Sequence, residues 1–307
     1  MSVIILSSSE NFHANEVENS LKQKTSILRI DSDSFATPSF YSLNDRQLIV
    51  NSEEISFLEV SGIFFHHPLI ALPNISTSEI DLKLWLSGWK NFINWMEYSF
   101  SEAKWVNKPS ACTLSTSIKL QHNLAKRIGF NIPESIFTNS FVFLEQFSKR
   151  HKKIVLKTGN VLGGNLTGYK ILTQIISTNG INSNILKRSP CLFQNYIEKK
   201  FELRVNVIEN TVLTCQILSQ ESEKTEVDWR NYDFQNVPHY PYNLDDKTKS
   251  MCVALTKEMN LCYSAIDLIV GVDEKIYFLE CNSQAHWLWI EKLTGLPITK
   301  EIVNALI

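Results

Sequence analysis

The sequence predicts an α/β protein, and three features of the chain indicate this class. An apolar run at residues 3–6, helical spacing over residues 13–22 and a second apolar run at residues 26–30 follow one another as strand, helix and strand. The pattern over residues 78–100 predicts a long helix. The segment 264–284 predicts a hairpin of two apolar strands. With 307 residues and a hydrophobic content of 44%, the chain can bury a large core in two or three lobes.

The predicted helix over residues 78–100 carries a thick aromatic stripe. A stripe of this kind packs into a core or a subunit interface more often than around a cofactor. The sequence Asn107, Lys108, Pro109 then interrupts the pattern and predicts a domain boundary near residue 107. The residues of the stripe recur at helical spacing: Leu82, Leu84, Trp85, Trp89, Phe92, Ile93 and Trp95.

Composition argues against several functional classes. Lysine and arginine number 30 against 32 aspartates and glutamates, and this net charge of -2 argues against a general nucleic-acid binder. The first residues lack a basic region, and no apolar run approaches the roughly 20 residues of a membrane span. We therefore expect a cytoplasmic protein without a membrane partner. The cysteines are scattered without a CxxC pair, which favours reduced, buried thiols over disulfides or zinc: Cys112, Cys191, Cys215, Cys252, Cys262 and Cys281.

Lysines and a cluster of glycines stand together in the middle of the chain. A helix is predicted over residues 115–128 and carries Lys119, and a later strand ends in Lys157. Glycines let backbone amides approach phosphates closely, and a lysine at the mouth of the loop adds a positive charge. The loop lacks both GxxxxGK(S/T) and the Rossmann GxGxxG, so its pattern alone favours a flexible hairpin. Its glycines are Gly159, Gly163, Gly164 and Gly168.

The strands predicted over residues 191–219 add an arginine. Backbone groups at residues 194–197 could bind the edge of an adenine ring, and Arg204 alternates with the apolar Leu203 and Val205. Arg204 could neutralise a transferring phosphate, or it could be an exposed charge or a partner of Glu202. The nearby Lys157 and the acidic hairpin favour the phosphate.

The hairpin over residues 264–284 places acids among apolar residues. A turn centred on Asp273 and Glu274 would set Asp267 directly across from Glu280, with Asn282 on the same face. Opposed like charges destabilise a strand pair, so we expect a bound cation between them. Two carboxylates and an amide suit Mg²⁺, which shares its remaining positions with phosphates. The hairpin therefore predicts a magnesium-bound nucleotide.

Together these motifs resemble the ATP-grasp ligases across most of the chain. The ordered set is Lys119, Lys157 with its glycine loop, the sequences QNYI and ELR, and the acidic hairpin. Within that superfamily, FELRV, DWR at residues 228–230, SAIDLIV, FLECNSQAHWLWIEKLTGLPI and the opening VIILSSSENFHANEVENSL are similar to graspetide maturases, which cross-link microviridin-like peptides through side-chain esters or amides. The strand GIFFHHP departs from the family, since His66 and His67 stand where a pair of arginines is expected.

The resemblance implies an ATP-grasp fold of three parts. Residues 1–106 would form an N-terminal α/β domain, residues 107–191 a central subdomain, and residues 192–307 a C-terminal subdomain with the metal site. The last two would clamp ATP between two sheets. The implied partner is a precursor peptide with a leader and a core rich in acidic and hydroxyl residues, and the implied assembly is a homodimer. The helix over residues 78–100 and the segment 150–153 are candidate leader contacts.

The resemblance also implies a reaction and assigns residues to it. ATP phosphorylates an Asp or Glu side chain of the precursor, and a Ser, Thr or Lys side chain of the same peptide attacks the acyl phosphate to close a ring. Arg204 would stabilise the acyl phosphate, and Arg230 with Trp229 would contact the acidic core. The Mg²⁺ ligands would be Asp267, Glu280 and Asn282, and the ATP-binding residues Lys119, Lys157, Gly163, Gly164, Gln194, Tyr196 and Ile197.

Two alternatives stay open at the level of sequence. An ATP-grasp ligase that joins free amino acids, or adds them to a protein terminus, would use the same acyl-phosphate chemistry without forming a ring. Trp287 and Trp289 fit a peptide cleft and a packed helix equally well. A peptide-binding module could keep the fold without catalysis, although the intact site residues argue against it: Lys157, Arg204, Asp267, Glu280 and Asn282.

Overall fold

The computed structural model describes residues 1–36, 39–70, 78–157 and 172–307, and a parallel sheet organises its N-terminal part. The elements are β1 (Ser2–Ser7), α1 (Phe12–Leu21), β2 (Ser26–Asp31), β3 (Tyr41–Leu43), β4 (Gln47–Val50), β5 (Glu53–Ser56), β6 (Val60–His66), α2 (Glu79–Ser99) and β7 (Lys104–Val106). The parallel strands are ordered β2-β1-β6-β7, which buries the apolar run of β1 between two neighbours. Strands β3, β4 and β5 form a small antiparallel sheet whose buried face joins the same core. The predicted strand-helix-strand start is confirmed.

Helix α2 confirms the helix predicted over residues 78–100. It begins after the N-cap residue Ser78. Trp85 and Trp89 pack against the core of the N-terminal sheet, and the Trp89 ring stacks on Phe35 with centroids 3.8 Å apart. Trp95, at 64% exposure, lies on the outer side of the helix. The inner part of the aromatic stripe is therefore core.

The central part is an antiparallel sheet with short helices. Its elements are α3 (Pro109–Ser115), α4 (Ile118–Ile128), β8 (Ser135–Thr138), α5 (Phe141–Lys149), β9 (Ile154–Lys157), β10 (Gln174–Ile176), α6 (Ser183–Leu186) and β11 (Cys191–Asn195). The strand order is β10-β9-β11-β8. The helix predicted over residues 115–128 is divided, because Ser117 caps α4 and separates it from α3. A boundary after residue 191 falls inside β11, and the division of the chain into 1–106, 107–191 and 192–307 stays a prediction.

A second antiparallel sheet dominates the C-terminal part. Its elements are β12 (Lys199–Ile208), β13 (Thr211–Ile217), β14 (His239–Tyr242), α7 (Asp246–Glu258), β15 (Tyr263–Gly271), β16 (Ile276–Asn282), α8 (Leu288–Thr294) and α9 (Ile298–Leu306). The strands are ordered β14-β13-β12-β15-β16. Helices α4 and α7 cover one face, while α1 and α9 cover the other. Strand β15 is buried along its whole length, which explains its almost entirely apolar sequence.

Asn107 and the packing of α9 on β6 help to join the N-terminal part of the molecule to the C-terminal part. Asn107 is 1% exposed, and its Nδ2 donates to the carbonyls of Tyr263 and Ser283, each at 2.7 Å. Its Oδ1 accepts from the amides of Tyr263 and the preceding residue, at 2.9 and 2.8 Å. Helix α9 packs so closely on β6 that a Cβ on Gly62 would collide with the carbonyl of Leu306. The end of β6 is therefore fixed relative to the acidic hairpin.

The cysteines are free thiols, as their scattered positions predict. Burial raises the pKa of Cys112, Cys215 and Cys262 to about 12, which keeps these thiols protonated and unreactive at neutral pH. In the part of the chain that the structure describes, no helix combines the length and the apolar character needed to cross a membrane.

Candidate active site

The acidic hairpin has the predicted pairing at its functional end. Strands β15 and β16 pair Asp267 with Glu280 and bring Asn282 to the same face. The register shifts beside this pair, because Leu279 forms a β-bulge. On the turn side of the bulge, Leu268 pairs with Phe278. If that register continued without the bulge, Asp267 would lie opposite Leu279. The predicted pairing is confirmed, and it depends on a bulge that sequence reasoning missed.

Arg204 supplies positive charge beside the two acids. It lies on β12 directly across from Asp267, and its Nη1 donates to both carboxylate oxygens, at 2.8 and 2.9 Å. Both residues are buried, at 6% and 5% exposure, and the Trp229 ring lies 5.7 Å from the guanidinium. The alternative of an exposed Arg204 paired with Glu202 is wrong, since Glu202 pairs with Lys199 at 2.6 Å. The ion pair with Arg204 thus offsets part of the negative charge of the two carboxylates, which the sequence analysis expected a bound cation to offset.

Burial and neighbouring charges give the two carboxylates different proton affinities. Burial raises the pKa of Asp267 to about 6, against the opposing charge of Arg204 and with a contribution from Glu280. For Glu280 the effect of burial is outweighed by the charges of Lys157 and Arg230, which hold its pKa below the usual value. Glu280 is therefore ionised at neutral pH, and Asp267 is the acid whose charge changes near pH 6.

Asp267, Glu280 and Asn282 fit a magnesium ion by donor type. Asn282 Nδ2 lies 3.2 Å from an oxygen of Glu280 and 3.5 Å from one of Asp267, so oxygen-bearing groups converge once the amide presents its oxygen instead. Across the described ranges, no cluster of three or more His, Cys, Asp or Glu side chains could hold a metal. An ion at this hairpin would therefore need water or phosphate to complete its coordination, which is the habit of Mg²⁺.

A cleft of about 560 Å³ opens beside these acids, between the central and C-terminal sheets. The residues proposed for adenine, Gln194, Tyr196 and Ile197, line it. The Tyr196 amide donates to the Lys153 carbonyl, whereas the Ile197 amide bonds no other described residue and is available to a ligand. Sequence reasoning missed the apolar cover of the cleft, although strand alternation from Lys157 and Asp267 indicates Val155 and Ile269. The whole cover consists of Val155, Val227, Ile269 and Leu279.

Lysines flank this cleft on its central side. Lys157, at the end of β9, lines it, while the exposed Lys119 on α4 lines an adjoining apolar pocket together with Lys157 and His122. Burial lowers the pKa of His122, and the charges of the two lysines lower it further. The glycines predicted to bind ATP fall outside the described residues: Gly163 and Gly164.

In the segment at residues 228–230, the arginine and the tryptophan side chains have different neighbours. Arg230 is half-buried, and its Nε and Nη2 donate to the two carboxylate oxygens of Asp228, at 2.8 and 2.6 Å. Its Nη1 lies 3.8 Å from Glu280 Oε1. Trp229 is 7% exposed and packs on Arg204, so most of its surface is covered by the protein. Asp228, which sequence reasoning did not single out, therefore orients Arg230 toward the acidic hairpin.

A second cavity of about 1050 Å³ adjoins the first. Asn282 faces it with polar residues from α3, α4 and the chain after β6, among them Ser115, Gln121 and His67. A nucleotide in the first cavity and an acceptor in the second would therefore meet at the residues that line both cavities: Lys157, Gln194, Arg230, Leu279 and Glu280.

Known proteins resemble this chain at the level of family and fold. A family model described as the RimK-like ATP-grasp domain matches residues 144–306. No curated protein matches the sequence.

Several solved structures resemble the whole chain. The Chryseobacterium gregarium RiPP-associated ATP-grasp ligase, in complex with ADP and a leader and core peptide, has a TM-score of 0.88 and 24% identity over 99% of this chain and 96% of that chain. Macrocyclase MdnC from Microcystis aeruginosa, bound with precursor peptide MdnA, has a TM-score of 0.85 and 23% identity, over 100% and 99%. ATP-grasp ligase PsnB, complexed with a phosphomimetic variant of minimal precursor, Mg and ADP, has a TM-score of 0.79 and 18% identity, over 100% and 97%. The predicted ATP-grasp fold is confirmed.

Proposed function

Because this chain belongs to the RimK-like ATP-grasp family, we propose that it is an ATP-dependent peptide macrocyclase. It would phosphorylate Asp or Glu side chains of a ribosomal precursor peptide and cross-link them to Ser or Thr hydroxyls or to Lys amines of the same peptide. Two observations support the peptide substrate. The chain is similar along its full length to ATP-grasp ligases whose structures hold ADP with a leader and core peptide or with a variant of minimal precursor, and to a macrocyclase bound with a precursor peptide. Each turnover would release ADP and phosphate.

The observation that carries this proposal is the wall shared by the two cavities. The first cavity offers an available amide and apolar cover, which suit a purine, while the second has the volume for peptide side chains. Arg230 and Glu280 line both cavities, at the point where a phosphoryl group would pass from one ligand to the other. This arrangement suits a reaction between a nucleotide and a bulky acceptor.

The charges of the site match the demands of acyl phosphate chemistry. A carboxylate is a poor electrophile, and phosphorylation gives it a good leaving group. Arg230, oriented by Asp228, would bind the substrate carboxylate. Arg204 would offset the charge that develops on the acyl phosphate, and its buried Nε has no hydrogen-bond partner among the described residues.

The remaining residues would hold the nucleotide. Mg²⁺, when bound, would supply Lewis-acid charge neutralisation to the phosphates. Lys119 and Lys157 would bind phosphate oxygens with Gly163 and Gly164. The adenine ring would lie against the segment that contains its binding residues, and the hairpin would hold the metal through three side chains: Gln194, Tyr196 and Ile197 for adenine, and Asp267, Glu280 and Asn282 for Mg²⁺.

The direct test combines the protein with ATP, Mg²⁺ and a short acidic, hydroxyl-rich peptide encoded beside its gene. We expect peptide-dependent ADP release and peptide products lighter by one water for each cross-link, measured by mass spectrometry. An unchanged peptide mass, with ADP release that instead requires free amino acids, would replace the macrocyclase with an amino acid ligase. If neither the peptide nor free amino acids cause ADP release, both activities are contradicted.

Variants of the hairpin test the site assignment. Asn282→Ala should abolish cross-linking and reduce the rise in melting temperature that ATP with Mg²⁺ produces, because it removes one proposed metal ligand. Arg204→Lys is preferable to Arg204→Ala, since an unpaired buried Asp267 would cost about 3–5 kcal/mol of stability. Arg204→Lys should slow cross-linking by about 100-fold or more while the protein stays folded. Full activity in either variant would remove these residues from the site.

We also propose that the enzyme acts in the cytoplasm as a homodimer and binds the leader outside the cleft. The exposed outer face of α2 supports a subunit contact, with Leu84, Trp95 and Tyr98 at 66%, 64% and 79% exposure. Trp95→Glu should convert the dimer to monomers in sedimentation velocity experiments. A wild-type protein that sediments as a monomer at high concentration would exclude this assembly.

A further inference from the structure

His67 occupies the second cavity with an unusual backbone conformation. It follows the last residue of β6, and its φ is +43°, a left-handed value that is uncommon outside glycine. The residue is exposed and lines the same cavity as Glu280 and Asn282. Strained backbone of this kind gathers at functional sites, where surrounding contacts hold it in place. Here those contacts include a hydrogen bond to the chain that follows the acidic hairpin.

The hydrogen bond of His67 determines which ring nitrogen can act as a base. Its Nε2 donates to the carbonyl oxygen of Gln284. Because a carbonyl oxygen only accepts, Nε2 carries the hydrogen and Nδ1 carries the lone pair. None of the described residues hydrogen-bonds Nδ1. Although part of the residue is exposed, the surrounding protein partly desolvates the ring and lowers the pKa of His67 despite the opposing effect of the Gln284 bond, so the neutral ring predominates at physiological pH.

Two other histidines near this cavity lack this combination of features. His66 is 1% exposed, and its ring nitrogens lie 3.1 Å from Asn11 Nδ2 and 3.3 Å from a main-chain carbonyl. His122 is 9% exposed, and its Nε2 lies 3.3 Å from the Leu279 carbonyl on the phosphate side of the cavity. Of the two histidines that line this cavity, His67 and His122, His67 is the exposed one, so a substrate in the cavity can reach its ring.

We propose that His67 is the general base of ring closure and that the nucleophile it serves is a Ser or Thr hydroxyl, an inference that rests on the macrocyclase activity proposed above. Nδ1 takes the hydroxyl proton while the oxygen forms a bond to the acyl carbon. The bond between that carbon and the phosphate oxygen breaks, and the phosphate leaves with the electron pair. The imidazolium then gives its proton to the departing phosphate, which restores the neutral ring. The product is a side-chain ester.

The two half-reactions can be separated by substitution. His67→Asn keeps a residue that tolerates a positive φ and can donate to Gln284, but it removes the base. Hydroxylamine intercepts an acyl phosphate as a hydroxamate without help from a protein base. We expect His67→Asn to form ADP and hydroxamate at the wild-type rate with the precursor peptide, while ester formation falls by about 10²–10⁴-fold. The matched control His239→Asn removes a half-buried histidine that lines neither cavity and should leave both rates unchanged.

His67→Gly provides an independent test by chemical rescue. Glycine accepts the backbone conformation and leaves a gap for free imidazole, which should restore ester formation in this variant and have no effect on His67→Asn. Wild-type ester formation in His67→Asn, an equal loss of hydroxamate and ester, or no rescue of His67→Gly would each overturn the role of His67. A selective loss of ring closure in His122→Asn would transfer the role to that residue. Failure of the wild-type protein to give hydroxamate would instead contradict the proposed function itself.

Discussion

Arg230 shows at the scale of one residue how the site organises charge. Its fork is bonded to Asp228, and the same guanidinium lies 3.8 Å from Glu280. Burial would raise the pKa of Asp228, but the hydrogen bonds and charge of Arg230 hold it far below the usual value. The pair therefore stays charged at neutral and mildly acidic pH. A planar fork can bond one carboxylate and face a second, which an ammonium group does less well.

We predict that Arg230→Lys lowers kcat/KM for the acidic core peptide by about 10–100-fold, because lysine keeps the charge but loses the two-pronged bond to Asp228. Steady-state kinetics with the full precursor measures this loss, and calorimetry with the isolated leader should show unchanged affinity. Arg127→Lys is the matched control, since Arg127 is 63% exposed and forms a surface ion pair with Glu258. A comparable loss of leader affinity in Arg230→Lys would contradict a role at the core peptide.

At this scale the sequence singled out Arg204, Asp267 and Glu280, which the structure brings together, but it did not single out Asp228 or the apolar cover of the cleft. A carboxylate or arginine inside an apolar strand is conspicuous, because burying its charge costs free energy. Val227 and Leu279 cover the cleft with the same residue types that fill any core, so composition does not distinguish them. Trp287 is fully buried and its Nε1 donates to Thr299, which settles the choice between peptide cleft and packed helix for that side chain.

Among the secondary-structure elements, β6 and α9 make the closest approach that the sequence did not reveal. Gly62 has no side chain, and the carbonyl of Leu306 occupies the space where a Cβ would lie. A hydrogen bond reinforces the contact, since Ser61 Oγ donates to the same carbonyl oxygen at 3.2 Å. The glycine therefore sets the distance between the N-terminal sheet and the last helix.

We predict that Gly62→Ala destabilises the protein by about 1–3 kcal/mol, because the added methyl group must push α9 away from the sheet. Gly88→Ala is the control, since Gly88 lies on the exposed side of α2 and no atom lies within 4 Å of the place that its methyl group would take. There alanine should stabilise by about 0.5–1 kcal/mol through its higher helix propensity. Urea unfolding measures both changes, and equal stability of the two variants would mean that the β6–α9 contact is loose.

The hairpin shows why register is harder to predict than strand identity. Both strands could be predicted from their apolar residues and turn, but pairing depends on each residue between the turn and the acids. Leu279 adds one residue to β16 without a partner, and a one-residue shift moves side chains to the opposite face. The bulge leaves little mark in the sequence, because Leu279 is as apolar as the Phe278 beside it.

Over the whole molecule, a cluster of histidines lies between the N-terminal domain and the chain after the hairpin. The His13 ring, on α1, stacks on His286 at 4.8 Å and lies 5.4 Å from His66, while His67 lies 5.2 Å from His286. Burial lowers the pKa of His13 to about 3, and the charges of His286 and His67 lower it further. Helical spacing places His13 in the sequence of α1, but only the assembled domains bring the rings together.

This cluster predicts a loss of stability at acidic pH. Between pH 6.5, the ordinary value for His13, and its folded pKa of about 3, the unfolded chain binds a proton that the folded protein excludes. The contribution of His13 to the free energy of unfolding is therefore fully present above pH 6.5. Below pH 6.5 this contribution falls by about 1.4 kcal/mol per pH unit. His13→Phe should lose about 2 kcal/mol less than wild type between pH 6.5 and about pH 5, by urea unfolding at each pH. Parallel pH curves for the two proteins would exclude His13 as the source.

The order of elements along the chain could be predicted well, because helical and strand periods are local properties. The joint between domains could not, since it depends on polar atoms far apart in sequence. Asn107 marks a boundary by its position before a lysine and a proline, yet the structure buries it and bonds it to both ends of the hairpin strands. Its local sequence predicts a domain boundary, and its distant partners hold the residue in place.

Because its partners lie far away in sequence, Asn107 is synthesised well before the atoms that it will bond. Ser283 follows it by 176 residues, so at about 5–20 residues per second a ribosome adds this partner about 9–35 s after the asparagine. Until Cys262 and Tyr263 are added, 155 and 156 residues after the asparagine, the nascent N-terminal domain has the side chain but none of the atoms it will bond. The domain that is translated first is therefore completed last, and this interval is when a chaperone would find it open.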